Sequence, residues 1–263
     1  MSELLGIVTA SEKRKGLLIL LRDGPKVWDE IKTELHVTAS GMLPQIKILE
    51  DEGLIAKEGR KISLTNIGRL IVHHLEPFDK TLNVIDQQKK FWQDHDIEAL
   101  PYDFFVRLGD IQNPQIIEAG LEDSFEPHNH FLDIILRSKK VSGISPIVHP
   151  IYPRFFLALA KQGRNVNLIL TERAYNKIKK EFHDMLIEGL QYKNAHLSIC
   201  EDDVRFAYIV TDIYFSMGLF MKSGVFDSRY DVVSNEPSAI RLGEDLFSYY
   251  LEKSHPVNKD GVY

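Results

Sequence analysis

Apolar positions from Leu4 to Leu21 recur at helical spacing, broken by Lys13, Arg14 and Lys15; the pattern predicts one or two helices that stop at Asp23-Gly24-Pro25. Val27, Ile31 and Leu35 then repeat every four residues and predict a short amphipathic helix. After the tight connection His36-Val37-Thr38, residues 39–52 predict a third helix. It is expected to face the core through Leu43, Ile46 and Leu49 and to end at Gly53. Pro44 lies within it, so the regular helix is expected to start late or to bend there. Two short alternating runs, 54–57 and 61–64, flank Glu58-Gly59-Arg60 and read as a β-hairpin. Thr65 then suits the N-cap of a helix running to His74, with Pro77 beyond it, and residues 78–93 predict a further helix with Phe78, Leu82, Ile85 and Trp92 on one face.

The rhythm changes after Leu100-Pro101. Apolar runs of strand length (141–148, 166–171, 196–200, 206–211, 214–220) alternate with amphipathic stretches (112–121, 125–137, 151–161, 172–186, 238–251). That alternation predicts an α/β domain. Only Asp212-Ile213 separate two of the strands, so part of the sheet is expected to be antiparallel. The expected organisation is α+β and α/β: a winged helix-turn-helix over 1–75, a helical linker and dimerisation segment over 76–100, an α/β mixed-sheet sensor domain over 101–255, and a loose tail over 256–263.

Composition narrows the partners. The chain has 263 residues and a net charge of −6. Residues 1–75 carry eleven Lys and Arg against ten Asp and Glu, so the acidic excess lies wholly in the later part. DNA binding depends on the local patch that meets phosphate, so the near-neutral first segment permits it. The acidic remainder is expected to face away from DNA. No apolar run approaches the ~18 residues of a membrane span, and no secretion signal is expected at the N-terminus. The single cysteine, Cys200, excludes an internal disulfide framework. A cytoplasmic protein is expected, with no cofactor, no metal and no membrane partner.

A helix, a short turn, a second helix and a hairpin describe a winged helix-turn-helix, whose reader helix fits the major groove of double-stranded DNA. The candidate DNA contacts are Thr38, Ser40, Gly41, Gln45 and Lys47 on the reader and Arg60 and Lys61 on the wing. Ser40 and Gln45 suit hydrogen bonds to bases or phosphate; Lys47, Arg60 and Lys61 suit phosphate. The acidic run Glu50-Asp51-Glu52 is expected to point out of the groove. A protein-docking module of similar shape stays open as an alternative.

Leu43-Pro44-Gln45-Ile46-Lys47-Ile48-Leu49-Glu50-Asp51-Glu52-Gly53-Leu54-Ile55 resembles the reader helix of archaeal regulators of the methanogenesis regulatory protein family. Further matches follow in order along nearly the whole chain. They are Phe91 to Ile97 with Pro101 and Arg107 to Asp110, then Ser145 to Pro153, then Leu168 to Glu172. Gly218-Leu219-Phe220, Phe226-Asp227 and Leu246 to Tyr250 complete them. Phe226 stands where the family pattern leads one to expect Tyr. The resemblance implies an archaeal transcription regulator: a winged helix followed by a sensor domain of phospholipase-D type, reused for ligand sensing.

That fold raises the question of catalysis. Phospholipase-D chemistry needs His-x-Lys, the His to attack phosphorus and the Lys to neutralise its oxygens. None of the ten histidines is followed two places later by Lys, so no enzyme activity and no catalytic residue is expected. An enzyme with a pocket mistaken for a sensor remains the rival reading. His128 and His130, with Glu126 or Asp133, are weighed as metal ligands and read instead as helix-start polar residues; His73-His74 diverge on a helix. Cys200 reads as a buried thiol rather than a redox sensor. Ser145, His149, Tyr152 and Arg154 lie where a strand gives way to a helix, and Thr171-Glu172 ends another strand. Together they are the candidate effector site, expected to favour an anionic or hydrogen-bonding metabolite through an Arg154 clamp. Phe78, Leu82, Ile85 and Trp92 are the candidate homodimer contacts.

Overall fold

The computed structural model describes residues 3–118 and 134–258. The chain divides into two compact units, Met1–Asp79 and Lys80–Tyr263. His128 and His130, and most of the helix predicted over 125–137, lie outside the described residues.

In the first unit, helices α1 (Glu3–Thr9), α2 (Glu12–Leu20), α3 (Trp28–Glu34) and α4 (Ala39–Asp51) pack with a three-stranded antiparallel sheet. Strands β1 (Lys26–Val27), β2 (Ile55–Glu58) and β3 (Lys61–Leu64) are ordered β1-β3-β2. This is a winged helix. Leu17, Leu18, Ile31, Met42, Ile46, Leu49 and Leu54 close its core with no exposure to solvent. The wing turns through Gly59 and Arg60, with Glu58 paired to Lys61. Gly59 has φ 61°, the left-handed value that a two-residue hairpin loop requires and that glycine adopts without strain.

Two sequence expectations change here. The core face of α4 is Met42, Ile46 and Leu49; Leu43 is 53% exposed. Pro44 explains part of the misreading, because the helix runs through it instead of starting after it. Pro77 likewise sits inside one long helix, α5 (Asn66–Gln87), where two helices were expected. A proline in a helix forgoes one backbone hydrogen bond, a loss that an exposed position lets water offset. Thr65 anchors the start of α5: its Oγ1 accepts from the Gly68 N–H at 3.0 Å and donates to the Gly53 carbonyl at 2.6 Å.

The second unit is built on an eight-stranded mixed sheet ordered β11-β7-β6-β5-β8-β9-β10-β4. Its strands are β4 (Gln115–Glu118), β5 (Lys140–Ser145), β6 (Asn165–Thr171), β7 (Ala195–Cys200), β8 (Phe206–Thr211), β9 (Phe215–Phe220), β10 (Phe226–Ser234) and β11 (Ser254–Pro256). β5, β6 and β7 run parallel, and the other neighbours pair antiparallel. One face packs on α6 (Lys89–Asp94), α7 (Tyr102–Phe105) and α11 (Pro237–Glu252), burying Phe206, Tyr208, Phe215, Met217 and Leu219. The other face carries α8 (Tyr152–Lys161), α9 (Glu172–Glu181) and α10 (His183–Gly189).

The helix expected from residue 112 is replaced by β4, an edge strand whose register with β10 supplies the hydrogen bonds a short isolated helix lacks. β10 escaped the reading because charged and polar residues interrupt it, and its register with β9 shifts between Phe226 and Asp231. The expected tail begins inside structure: Pro256 ends β11, and the Val257 N–H donates to the Leu197 carbonyl at 2.8 Å. Cys200 is buried in the core beneath α11. No described helix is long and apolar enough to cross a membrane.

Candidate nucleic-acid interface and interior cavity

The outer face of α4 presents Ala39, Ser40, Leu43, Pro44 and Lys47. Its N-cap, Thr38, makes no side-chain cap bond; the Thr38 Oγ1 lies 3.4 Å from the Ser40 Oγ. The first amides of α4 therefore keep their capacity to meet an anion. Gly41 is half-buried because Lys13 crosses it: a Cβ there would fall 2.7 Å from the Lys13 Nζ. Gln45 is half-buried too, and its Oε1 accepts from Arg14 Nη1 at 2.7 Å. Arg14 also donates from Nε to the Ile7 carbonyl at 2.5 Å, which braces α1 against α2.

Lys13 and Arg14, absent from the sequence-based set, thus lie beside the candidate reader α4. A signal for them was present. Both stand in the first turn of α2, where positive charge opposes the helix dipole.

The cations of this unit sort into two groups. Lys15, Arg22, Lys26 and Lys57 are tied to Asp79, Glu76, Glu34 and Glu50 respectively. Among the described residues no ion pair engages Lys13, Arg14, Lys47, Arg60 or Lys61, nor Lys32 on α3 or Arg69 on α5, which donates to the Asn66 Oδ1 at 2.9 Å. The pairs raise the pKa of Lys15, Arg22 and Lys26, chiefly through the hydrogen bonds that these groups donate to their carboxylates.

In the second unit a cavity of about 170 Å³ lies between the sheet and α8 and α10. The sheet offers it small side chains: Gly143 on β5, Ala207 on β8, and Ser216 and Gly218 on β9. Tyr152, Phe156, Met185 and Leu186 face them from the helices. Gly143 is required by close approach, since a Cβ there would meet the Tyr208 carbonyl oxygen at 2.5 Å. Asp231 on β10 supplies a carboxylate, which lies over Gly218. Burial, with the Asp231 charge second, raises the phenol pKa of Tyr152 and of Tyr214 well above the ordinary value.

The expected effector set divides on this geometry. Ser145 and Tyr152 line the cavity; His149, Arg154, Thr171 and Glu172 do not. Ser145 folds back on the backbone, donating to the Ile147 carbonyl at 2.7 Å. His149 accepts from the Ile151 N–H at 3.4 Å, and Thr171 accepts from the Ala174 N–H at 3.4 Å; both serve helix starts. Arg154 and Glu172 point to solvent, so the expected Arg154 clamp is withdrawn.

The expected dimer set also divides. Phe78 and Leu82 are 55% and 43% exposed. Ile85 is half-buried against the core of its own unit. Trp92 is removed from the set: it is buried, and its indole N–H donates to the Val84 carbonyl at 2.9 Å. The residue is large and apolar enough to read as a contact face, but the short helix α6 turns it inward. Ile67 and Leu70, also on α5, are exposed as well.

Three of the segments quoted for the family resemblance meet in one buried cluster. His95 donates through its Nδ1–H to the Phe91 carbonyl at 2.7 Å, and its Nε2 lies 3.4 Å from Asp227. The Asp96 N–H donates to the Phe220 carbonyl at 2.8 Å. Asp227 accepts from the Arg229 backbone and side chain. Burial opposes ionisation of Asp227, but the Arg229 hydrogen bonds and the nearby His95 outweigh it and hold the pKa below the usual carboxylate value. Among the described residues no group of three His, Cys, Asp or Glu side chains has metal-binding proximity.

Two models built on one regulatory protein match this chain: the N-terminal domain of the methanogenesis regulatory protein FilR1 over residues 2–85, and its middle domain over residues 124–253. The FilR1 of Methanothrix harundinacea (strain 6Ac) is 23% identical over 96% of this chain. The chain spans 58% of that relative's length. Among solved structures, the archaeal chromatin protein TrmBL2 is similar over 98% of this chain and 100% of its own, at 12% identity and a TM-score of 0.44. Nuc of Salmonella typhimurium, a phospholipase D family member, is similar over 56% of this chain and 98% of its own, at 13% identity and a TM-score of 0.42. Both structural likenesses are loose.

Proposed function

The chain belongs to the methanogenesis regulatory protein family, and on that premise we propose that it is a transcription regulator that binds double-stranded DNA as a homodimer under small-molecule control. The observation that carries the DNA reading is the division of cations in the winged-helix unit. Lys15, Arg22 and Lys26 are paired with acids, as is Lys57 on the wing strand β2, while Lys32 and Arg69, away from the reader, have no ion pair among the described residues. Those beside the reader, Lys13, Arg14 and Lys47, and those on the wing, Arg60 and Lys61, are left for phosphate. In this reading α4 enters the major groove by its N-terminal half, with Ser40 reaching base edges or phosphate. Leu43, exposed without structural need, suits the methyl group of thymine. The uncapped start of α4, with Thr38, Gly41 and the overlying Lys13, suits a backbone phosphate. Gln45 positions Arg14.

A single reader of this size binds weakly, and two-fold symmetry doubles it. Ile67, Leu70, Phe78 and Leu82, spaced by three, eight and four along α5 and all exposed, are the contacts assigned to the second copy. The protein is read as a regulator without catalysis, in keeping with the family's regulatory name. An effector bound in the second unit would shift the spacing of the two readers.

The test is fluorescence anisotropy with fragments recovered by genome-wide occupancy mapping. The expected result is saturable binding at low salt that weakens steeply as salt rises. Binding no tighter than to a shuffled duplex, with affinity indifferent to salt, would remove the DNA reading.

A further inference from the structure

We infer that the cavity between the sheet and helices α8 and α10 is a binding site for one unbranched aliphatic chain, the apolar part of a small amphiphile. The inference rests on the proposal of small-molecule control and goes further, by giving the site and the shape of its ligand. Extent is the first argument. Six neighbouring strands line the cavity, and Leu197 on β7, Leu168 on β6, Gly143 on β5, Ala207 on β8, Gly218 on β9 and Asp231 on β10 mark its course. At about 4.8 Å from strand to strand, they set its two ends about 24 Å apart. A volume of about 170 Å³ drawn out over that length is a narrow channel, which takes a single chain of methylenes lengthwise and leaves little width for a bulkier body. The channel is made by alternation along the strands. On β8 and β9 the large residues Phe206, Tyr208, Phe215, Met217 and Leu219 go to the opposite face. Ala207, Ser216 and Gly218 are left under the helices. A sheet face covered by helices ordinarily carries Val, Ile or Leu at such places.

The wall is the second argument. Over β6 and β7 the channel has carbon on both sides: Leu168, Leu170 and Leu197 on the sheet face Ile178, Leu186 and Leu190 on the helices. Ser145, Tyr152, His196, Ser216 and Asp231 are the lining residues with polar side chains among those described. The Ser145 hydroxyl is used locally, donating to the Ile147 carbonyl and accepting from the Ile147 N–H. His196 alternates with Leu197 along β7 and is exposed to solvent. Ser216 and Asp231 lie on adjacent strands at the other end, and the Tyr152 phenol is near enough to Asp231 to feel its charge. The channel is thus amphiphilic along its length, polar at the β9 and β10 end and apolar toward β7. The polar end fixes where a headgroup sits, and the apolar run sets the affinity, whatever the charge of the head. Each methylene moved from water into such a wall is worth roughly fourfold in affinity.

The experiment uses the full-length protein without DNA and uncharged probes of graded length: 1-butanol, 1-hexanol and 1-octanol, with cyclooctanol as a compact molecule of the same carbon number as the last. Binding is read by calorimetry and thermal shift. The expected result is saturable one-to-one binding that tightens roughly fifteenfold from each linear probe to the next. Cyclooctanol should bind about tenfold or more weakly than 1-octanol. Ala207→Phe, which plugs the channel at one of its two middle strands, should flatten the series, so that 1-octanol gains little over 1-butanol. A full series in a folded Ala207→Phe variant overturns the inference. If that variant does not fold, the wild-type series and the cyclooctanol comparison decide. Affinity indifferent to chain length, cyclooctanol binding as tightly as 1-octanol, or no saturable binding of 1-octanol up to roughly 1 mM likewise overturns it. Repeating the DNA titration with 1-octanol present separates the two claims. Probe binding that leaves DNA affinity unchanged upholds the site and overturns its control of DNA. DNA binding with no probe bound overturns the site alone.

Discussion

The winged-helix unit and the sheet unit offer their sites in opposite ways. The first fills its interior with Leu, Ile and Met and leaves its working groups outside, as cations without acidic partners around α4 and the wing. The second fills one face of its sheet with Phe, Tyr and Met and, on the other, leaves a hollow within the packing against its helices, where Asp231 is the one carboxylate among the described lining residues. A surface built of unpaired cations suits a long anionic partner whose counterions are released on binding. A narrow hollow suits a small molecule and excludes a large one. The difference teaches where each unit tolerates change: the first on its outside, the second on the inner side of alternate strand residues.

Adjacent residues of β8 test this most strongly. Phe206→Ala should lower stability by about 3–5 kcal/mol, because it opens a void in a filled core. Ala207→Val should change it by less than about 1.5 kcal/mol, because it grows into the hollow. Equal losses in denaturant titrations would mean that the second face is as tightly packed as the first.

Adjacent residues of α4 make the parallel test in the winged helix. Met42→Ala should cost about 2–5 kcal/mol. Leu43→Ala should stay within about 0.5 kcal/mol and weaken DNA binding instead. A large stability loss from Leu43→Ala would return that residue to the core.

A smaller effect is expected at Asp227, where the pH dependence has a definite sign. Its folded pKa is lowered, so the carboxylate contributes stability that is full above about pH 4, the unfolded value, and is lost as pH falls through the folded one. Asp227→Asn should cost about 1.5–3 kcal/mol at neutral pH, and the gap from wild type should close in acid. A gap independent of pH would show that the carboxylate's charge is not what Arg229 and His95 recognise.

Much of this fold was legible in the chain, for reasons that also explain the misses. The winged helix announced itself because its elements are short, amphipathic and separated by strong stops such as Asp23-Gly24-Pro25 and Gly53. β5 to β9 were legible as apolar runs. β4 and β10 were not, because an edge strand and a strand with a shifted register lack continuous alternation, and their pairing is visible only across a long stretch of sequence. The candidate sites were half legible. Lys47, Arg60 and Lys61 follow from local pattern, but Lys13 and Arg14 reach the reader through the packing of α2 on α4. Ser145 and Tyr152 were found from a strand end, whereas Asp231 and the small residues of the hollow come together through the strand order. Arg154 misled because about half a turn of α8 separates a cavity-lining Tyr152 from a solvent-facing neighbour two residues on.

The central claim is that the unpaired cations around α4 and on the wing meet DNA phosphate. The most direct measurement is the slope of log affinity against log salt for the wild type, the single variants Lys13→Ala, Lys47→Ala and Arg60→Ala, and the paired-cation variant Lys26→Ala. Each of the first three should reduce the slope by about one and weaken all sequences alike, while Lys26→Ala should leave it unchanged. Slopes equal across all five proteins, with the folds intact, would contradict the account.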